Sequence, residues 1–132
     1  MSLQAIVTKT TDEPPIAIIA LYGEVNSETV STMDAQLNQQ LQQCGRVVVD
    51  FSQTVYVSSA GWRSLVDRGS KSRTAGVVVA CMQPSVRDVY DLLGMGYVLG
   101  GYDTVRDAVA ALLRPQPQPA ATPPRNPTGS VL

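Results

Sequence analysis

Val47-Val48-Val49-Asp50-Phe51-Ser52, followed by Val55-Tyr56-Val57-Ser58-Ser59-Ala60-Gly61-Trp62-Arg63-Ser64-Leu65-Val66, is the stretch from which the rest of the chain can be placed. Its first five residues form a β-branched apolar run bounded by the turn-prone Gly45 and Ser52, the pattern of a short buried strand. A brief apolar piece, Val55 to Val57, comes next. Trp62, Leu65, Val66 and Gly69 then recur at three- and four-residue spacing, with Arg63, Ser64, Asp67, Arg68 and Lys71 on the other side, so the pattern becomes that of an amphipathic helix. Ser58 and Ser59 therefore fall at a loop-to-helix junction. A hydroxyl there can cap orphan N–H groups, and an added phosphate would meet the positive end of the helix dipole.

The elements on either side extend the pattern. Leu3, Ala5 and Val7 alternate with Gln4, Ile6 and Thr8, which predicts a strand with one more polar face. Asp12-Glu13-Pro14-Pro15 turns the chain, because the prolines supply no donors to a ladder. Ile16 to Leu21 is a near-continuous apolar strand, so the chain opens with a hairpin. After Gly23, Asn26 or Ser27 is placed to cap a helix with Val30, Met33, Leu37 and Leu41 on its apolar side, ending near Cys44-Gly45. Val77 to Cys81 is a further buried strand, and the strand-helix-strand alternation from Val47 onward implies parallel neighbours joined by a right-handed crossover.

Ser85 with Asp88 predicts a short helix carrying Val86, Val89, Tyr90 and Leu93 on its apolar side and stopped by Gly94. Tyr97 to Leu99 suits a short strand broken by Gly100-Gly101, and Thr104 with Asp107 starts a last helix that Pro115 ends. The order is α/β: a mixed sheet of about four to five strands flanked on one side by about four helices, within residues 1–113. Residues 114–132 change in composition, with Pro115, Pro117, Pro119, Pro123, Pro124 and Pro127 among Gln, Ala, Thr and Asn. Such a segment is expected to be an extended, disordered tail.

Composition narrows the function classes. The 10 basic and 11 acidic residues nearly cancel, which argues against nucleic acid or an anionic membrane as the main partner. No window approaches the roughly 18 apolar residues needed to cross a bilayer, and no basic, apolar leader opens the chain, so a cytoplasmic location is expected. The chain has no histidine, which removes the Ser-His-Asp triad, the Cys-His dyad and His-containing metal sites together. No glycine pattern forms a phosphate loop. Cys44 and Cys81 lack the close pairing of zinc or redox sites and are expected to be free, mostly buried thiols. Neither catalysis nor a cofactor nor a metal is expected.

The residues Val48-Val49-Asp50-Phe51-Ser52 and Val57-Ser58-Ser59-Ala60-Gly61-Trp62-Arg63-Ser64-Leu65-Val66 resemble the signature of STAS domains, specifically the bacterial anti-sigma factor antagonists. In that family a strand ending in Asp-aliphatic-Ser leads to an aliphatic-[Asp/Ser]-Ser-[Ser/Thr/Ala]-Gly segment that starts a helix. The resemblance runs over residues 3–113, and Gly23 and Asn26 match the family's Gly-x-aliphatic-[Asp/Asn] segment after the second strand. It implies the STAS fold, whose order of elements agrees with the one above.

The resemblance also implies a function. In anti-sigma factor antagonists the serine two residues before the glycine is phosphorylated by a serine kinase of the histidine-kinase-like ATPase fold, which doubles as the anti-sigma factor. Aligning on Gly61 puts that serine at Ser59, with Ser58 as second candidate at a position where many members carry Asp. The implied protein is a phosphorylation-controlled partner switch in transcription regulation and signal transduction, served by that kinase and a phosphatase. The implied partner surface comprises Gly23, Asn26, Ser58, Ser59, Ala60, Gly61 and Arg63. From the residues alone, the serines and Asn26 read first as plain helix caps, and it is the resemblance that turns the reading toward a switch. Trp62 belongs in the core by its spacing, with an exposed anchor for a partner as the alternative. Arg63 and Arg68 fit solvated charges, Arg63 lying close enough to Ser59 to touch a partner or a phosphate. A non-switching scaffold or accessory subunit of a transport or signalling complex is the competing reading, and a weak homodimer is compatible with the near-neutral surface.

Overall fold

The computed structural model describes residues 2–71 and 76–113. The opening hairpin forms as the alternation requires: β1 (Gln4–Lys9) pairs antiparallel with β2 (Ala17–Val25), Ile6 standing opposite Ala20 and Val7 opposite Ile19. Thr10 closes the connection, its N–H donating to the Ile16 carbonyl at 3.0 Å and its hydroxyl accepting the Ile16 N–H at 2.9 Å. These bonds satisfy backbone groups at a turn whose prolines cannot continue a ladder.

On its other side β2 runs parallel first to β3 (Arg46–Asp50) and then to β4 (Thr54–Val57). The change of partner coincides with a register shift at Gly23, whose φ of 125° lies where side chains are strained. Between β3 and β4, the Asp50 carboxylate accepts the Ser52 N–H at 2.9 Å and the Thr54 hydroxyl donates to the Leu21 carbonyl at 2.8 Å. That Asx turn lets the chain step along the edge of β2 without leaving buried groups unpaired. The apolar piece before Ser58 is thus a strand in its own right, which brings the sheet to six strands. β3 pairs parallel with β5 (Gly76–Ala80) across the expected crossover, and β5 pairs parallel with β6 (Gly101–Tyr102).

Four helices complete the domain: α1 (Val30–Cys44), α2 (Ser59–Lys71), α3 (Pro84–Leu92) and α4 (Val105–Leu113). They lie on both faces of the sheet, which corrects the one-sided arrangement expected from the order. Ile19, Leu21, Val47, Val49, Val77 and Val79 face α1 to α3 and pack with Met33, Leu37, Trp62, Leu65, Val86 and Tyr90. The alternate positions Ile16, Val48, Val78 and Ala80 pack against Ala108 of α4. Strands that are apolar at every position need cover on both faces, and α4 supplies the second.

Three local expectations are also corrected. Met95–Tyr97 is a 3₁₀ turn rather than part of a strand, and Gly101 opens the short strand it was expected to end. A Cβ on Gly101 would lie 2.8 Å from the Tyr90 hydroxyl, so only glycine lets this strand approach α3 so closely. Helix α3 begins at Pro84, not at a Ser85 cap, because proline suits a first helical position where no N–H partner is needed. Leu93 lies beyond the end of that helix and is 48% exposed instead of packed on its apolar face. The expected cap of α4 is present, with Asp107 N–H donating to the Thr104 hydroxyl at 3.0 Å. Cys44 is buried, Cys81 half-buried, and both are free thiols. The proline-rich segment and its boundary lie outside the described residues.

Candidate functional site

The end of β4 and the start of α2 meet at the two serines, and the structure gives them different work. Ser58 is tied to the fold: its N–H donates to the Val25 carbonyl at 2.8 Å, its carbonyl accepts the Trp62 N–H at 3.0 Å, and its hydroxyl accepts the Gly61 N–H at 3.3 Å. It is the residue that caps the helix. Ser59, the first residue of α2, is exposed, and its hydroxyl has no hydrogen-bond partner among the described residues. One serine closes the helix and the other presents a free hydroxyl at its positive end.

Gly61 explains how the helix sits so close to the sheet. A Cβ there would lie 2.8 Å from Val25 Cγ1 and 2.9 Å from Val57 Cγ1, both on buried valines. Gly61 is itself buried, so its place in the expected partner surface is corrected to a packing role that fixes the height of Ser59 above the strands. Gly23 likewise shapes the backbone, a Cβ there standing 3.1 Å from the Ser2 carbonyl.

Asn26 follows Val25 at the same end of the sheet. Its side-chain oxygen accepts the N–H groups of Glu28 at 2.9 Å and Thr29 at 3.0 Å, while the Thr29 hydroxyl accepts the Asn26 N–H at 2.9 Å. This reciprocal pair is a capping box leading into α1, so Asn26 is a cap, as one of its two readings held. It remains half-buried at the rim beside Ser58.

Beside Ser59 runs an open groove of about 650 Å³, lined from α2 by Ser59, Ala60, Trp62 and Arg63 and from beyond α3 by Leu93 and Met95. Trp62 is 1% exposed, its ring edge-on to Phe51 at 5.7 Å and tilted against Tyr90 at 5.7 Å. It is a core residue and not a protruding anchor. The Tyr90 hydroxyl donates to the Leu99 carbonyl, and burial pushes its phenol above the usual range. Ala60 and Arg63 are exposed. Near Leu93 and Met95 in the sequence, Leu92 is 84% exposed and Tyr97 95%. Single exposed leucines are ordinary, but several neighbouring large apolar side chains mark an interaction surface.

Arg68 departs from the expectation of a solvated charge. It donates to Asn38 Oδ1 at 3.0 Å and to the Ser64 hydroxyl at 2.7 Å, and lies 3.5 Å from the Asp34 carboxylate. The Ser64 hydroxyl in turn donates to Asp34, so this network holds α2 to α1. Its residues come from two helices, and helical spacing within α2 shows only half of them. Leu93 and Met95 were likewise not visible as site residues, since their position depends on how α3 ends.

Among the described residues no helix is long and apolar enough to cross a membrane. No curated protein sequence matches this chain. Among solved structures, an anti-sigma factor antagonist from Mycobacterium paratuberculosis superposes with a TM-score of 0.74 at 20% identity, over 83% of this chain and 93% of its own. The Bacillus cell fate determinant SpoIIAA in its phosphorylated form gives a TM-score of 0.60 at 15% identity, over 83% of this chain and 99% of its own. The murine anion transporter Slc26a9 carries the same fold as a part, with a TM-score of 0.62 at 10% identity over 84% of this chain and 22% of its own. These identities establish the shared fold. The STAS domain family model matches residues 5–108. That match covers most of the chain and spans the sheet, the serine junction and its groove, so this protein belongs to the STAS domain family.

Proposed function

We propose that this protein is an anti-sigma factor antagonist of a partner-switching system, which binds a serine kinase that doubles as the anti-sigma factor and is released when Ser59 is phosphorylated. The observation that carries the reading is the division of labour between the serines. Ser58 holds the helix cap, and Ser59 offers an exposed hydroxyl with no partner among the described residues. Modification of Ser59 therefore costs the fold no hydrogen bond. SpoIIAA, a structural neighbour, is known in phosphorylated and unphosphorylated forms, which is in keeping with a modifiable residue on this fold.

A phosphate on Ser59 adds a charge of about −1.5 to −2. The first N–H groups of α2 favour an anion, and Arg63, four residues on and lining the same groove, is placed to pair with it. The fold tolerates the change while a partner packed over the groove meets new bulk and charge that it must desolvate. The unmodified protein binds the kinase and frees the sigma factor; the phosphorylated protein lets go, and a phosphatase restores it. The exposed side chains beyond the groove, Leu92 and Tyr97, supply apolar area for that contact. The protein contributes no catalysis of its own.

The test is capture from native extract with the wild type, Ser59→Ala and Ser59→Asp. The switch predicts that wild type and Ser59→Ala retain an ATPase-fold kinase and Ser59→Asp loses it. A second reading, a constitutive accessory subunit, is favoured by the occurrence of this fold within an anion transporter. It predicts one complex retained by all three forms.

A further inference from the structure

We propose that two copies of this chain pair through the free edge of β1, antiparallel and with Ile6 on the twofold axis, to give a weak dimer with one continuous sheet. Among the described residues β1 pairs with β2 alone, so its other edge carries an open ladder. The direction of that ladder follows from the turn. Thr10 N–H donates to the Ile16 carbonyl, and bonded pairs in an antiparallel ladder recur at every second residue. Gln4, Ile6 and Thr8 therefore turn their backbone groups toward β2, while Ala5, Val7 and Lys9 turn theirs outward. Sheet edges are ordinarily blunted by charge, proline, a bulge or short length. From Gln4 to Thr8 there is no charge and no proline, and the β1–β2 register runs without a shift. The opposite edge, β6, is only two residues long.

The sequence of β1 matches itself. A twofold axis normal to the sheet keeps each face on the same side, so residues of like parity must meet. With Ile6 on the axis, Ile6 faces Ile6, Gln4 faces Thr8, and Ala5 faces Val7: apolar meets apolar and polar meets polar at every position. Ala5 and Val7 of the two copies then exchange both N–H···O bonds, using the groups that point outward. The Ile6 side chain, 46% exposed in the single chain, packs on its mate at a non-hydrogen-bonded position, where side chains approach closest. The nearest charge is on Lys9, whose ammonium donates to Gln43 Oε1 at 2.8 Å. The two Lys9 residues lie about 20 Å apart in this register, so no like charges meet.

The helices leave room for the partner. Helix α1 lies over β2 and β3 more than over β1. The β2 strands of the two copies are three strand spacings apart, about 14 Å, against a helix diameter of about 10–12 Å. Ser59 follows β4, which flanks β2 on the side away from β1, so pairing leaves both serines free and the dimer and the proposed switch stand or fall separately. One strand edge buries less than the roughly 800 Å² per partner of a standard interface, so association is expected at about 0.1–1 mM.

The experiment is sedimentation of the full chain over that range, with Ile6→Lys, Ile6→Cys and Thr8→Cys alongside. Wild type should shift from monomer to dimer as concentration rises, and folded Ile6→Lys, which brings two ammonium groups together on the axis, should stay monomeric. Under mild oxidation at the upper concentration, Ile6→Cys should form a disulfide between the introduced thiols, because Cα atoms at that pair are about 4.5 Å apart. Thr8→Cys should not, since its mates stand about 14 Å apart, and the native cysteines are common to both variants. If Ile6→Lys fails to fold, the two cysteine variants decide alone. Wild type that stays monomeric throughout would overturn the proposal and leave the edge to a strand of another protein. A dimer undiminished in folded Ile6→Lys, or a Thr8→Cys disulfide forming as readily as that of Ile6→Cys, would overturn it equally.

Discussion

Gly61→Ala is expected to destabilise the domain by about 1–2 kcal/mol, although alanine is the better helix former. The added methyl would sit 2.8 Å from Val25 Cγ1 and 2.9 Å from Val57 Cγ1, closer than packed carbons approach. Both valines are buried, at 0% and 3% exposure, and their β-branched side chains have little rotamer freedom with which to yield. Overpacking of this kind costs about 1–3 kcal/mol, and exchanging glycine for alanine in a helix returns at most about 1 kcal/mol. For a domain of this size, about 1–2 kcal/mol corresponds to a fall in Tm of roughly 5–15 °C. Urea unfolding followed by fluorescence reads the effect directly, because the single tryptophan, Trp62, neighbours Gly61 and is 1% exposed. The Val25→Ala background supplies the control: with one of the two contacts removed, the added cost of Gly61→Ala should shrink by about 0.5–1 kcal/mol. An unchanged or raised midpoint in the single variant, or an equal loss in both backgrounds, would refute the claim that close packing of α2 on β2 and β4 requires a glycine here.

The two serines should separate in stability: Ser58→Ala loses a cap bond of 3.3 Å and costs about 0.5–1 kcal/mol, whereas Ser59→Ala stays within about 0.5 kcal/mol. Equal losses in urea titrations would mean that the caps have been misassigned. Alkaline pH should weaken the domain. Burial raises the Tyr90 phenol above its ordinary 10.0, and burial, then the charge of Asp50, raises the Cys81 thiol above 9.0. In both cases the unfolded chain ionises first, so their contribution is complete below about pH 9 and is lost as pH rises through the higher folded values. Urea midpoints that stay level between about pH 8 and 11 would contradict this. Leu92→Ser combined with Tyr97→Ser should leave the unfolding midpoint unchanged, since these side chains are 84% and 95% exposed, yet weaken binding of the captured kinase at least about tenfold. Unaltered affinity by titration calorimetry would remove this apolar surface from the partner contact.

How much of this was legible before the structure varies by the range of the interactions involved. Local periodicity placed the hairpin, the crossover from β3 to β5 and all four helices, because each is fixed by alternation or by three- and four-residue spacing within one segment. The short strand β4 escaped the element order. Only four residues long, it is a strand because β2 changes partner at Gly23, a long-range event with no local signature. Helices were expected on one side only, yet the fully apolar Val47 to Val49 already required cover on both faces. At the site, the junction and its serines were evident from sequence, and Asn26 and Trp62 took positions their spacing allowed. The difference between Ser58 and Ser59 was not evident, since it depends on where the first helical hydrogen bond begins. Arg68 looked like a surface charge because its partners Asp34 and Asn38 lie on another helix.

The most direct test of the central claim is phosphosite mapping by peptide mass spectrometry on the protein recovered from its native cells, with Ser58→Ala and Ser59→Ala recovered in parallel. The switch predicts one phosphate on Ser59 in the wild type, retained in Ser58→Ala and absent from Ser59→Ala. A phosphate found on Ser58, or an unmodified Ser59 in a complex that Ser59→Asp also keeps, would contradict it.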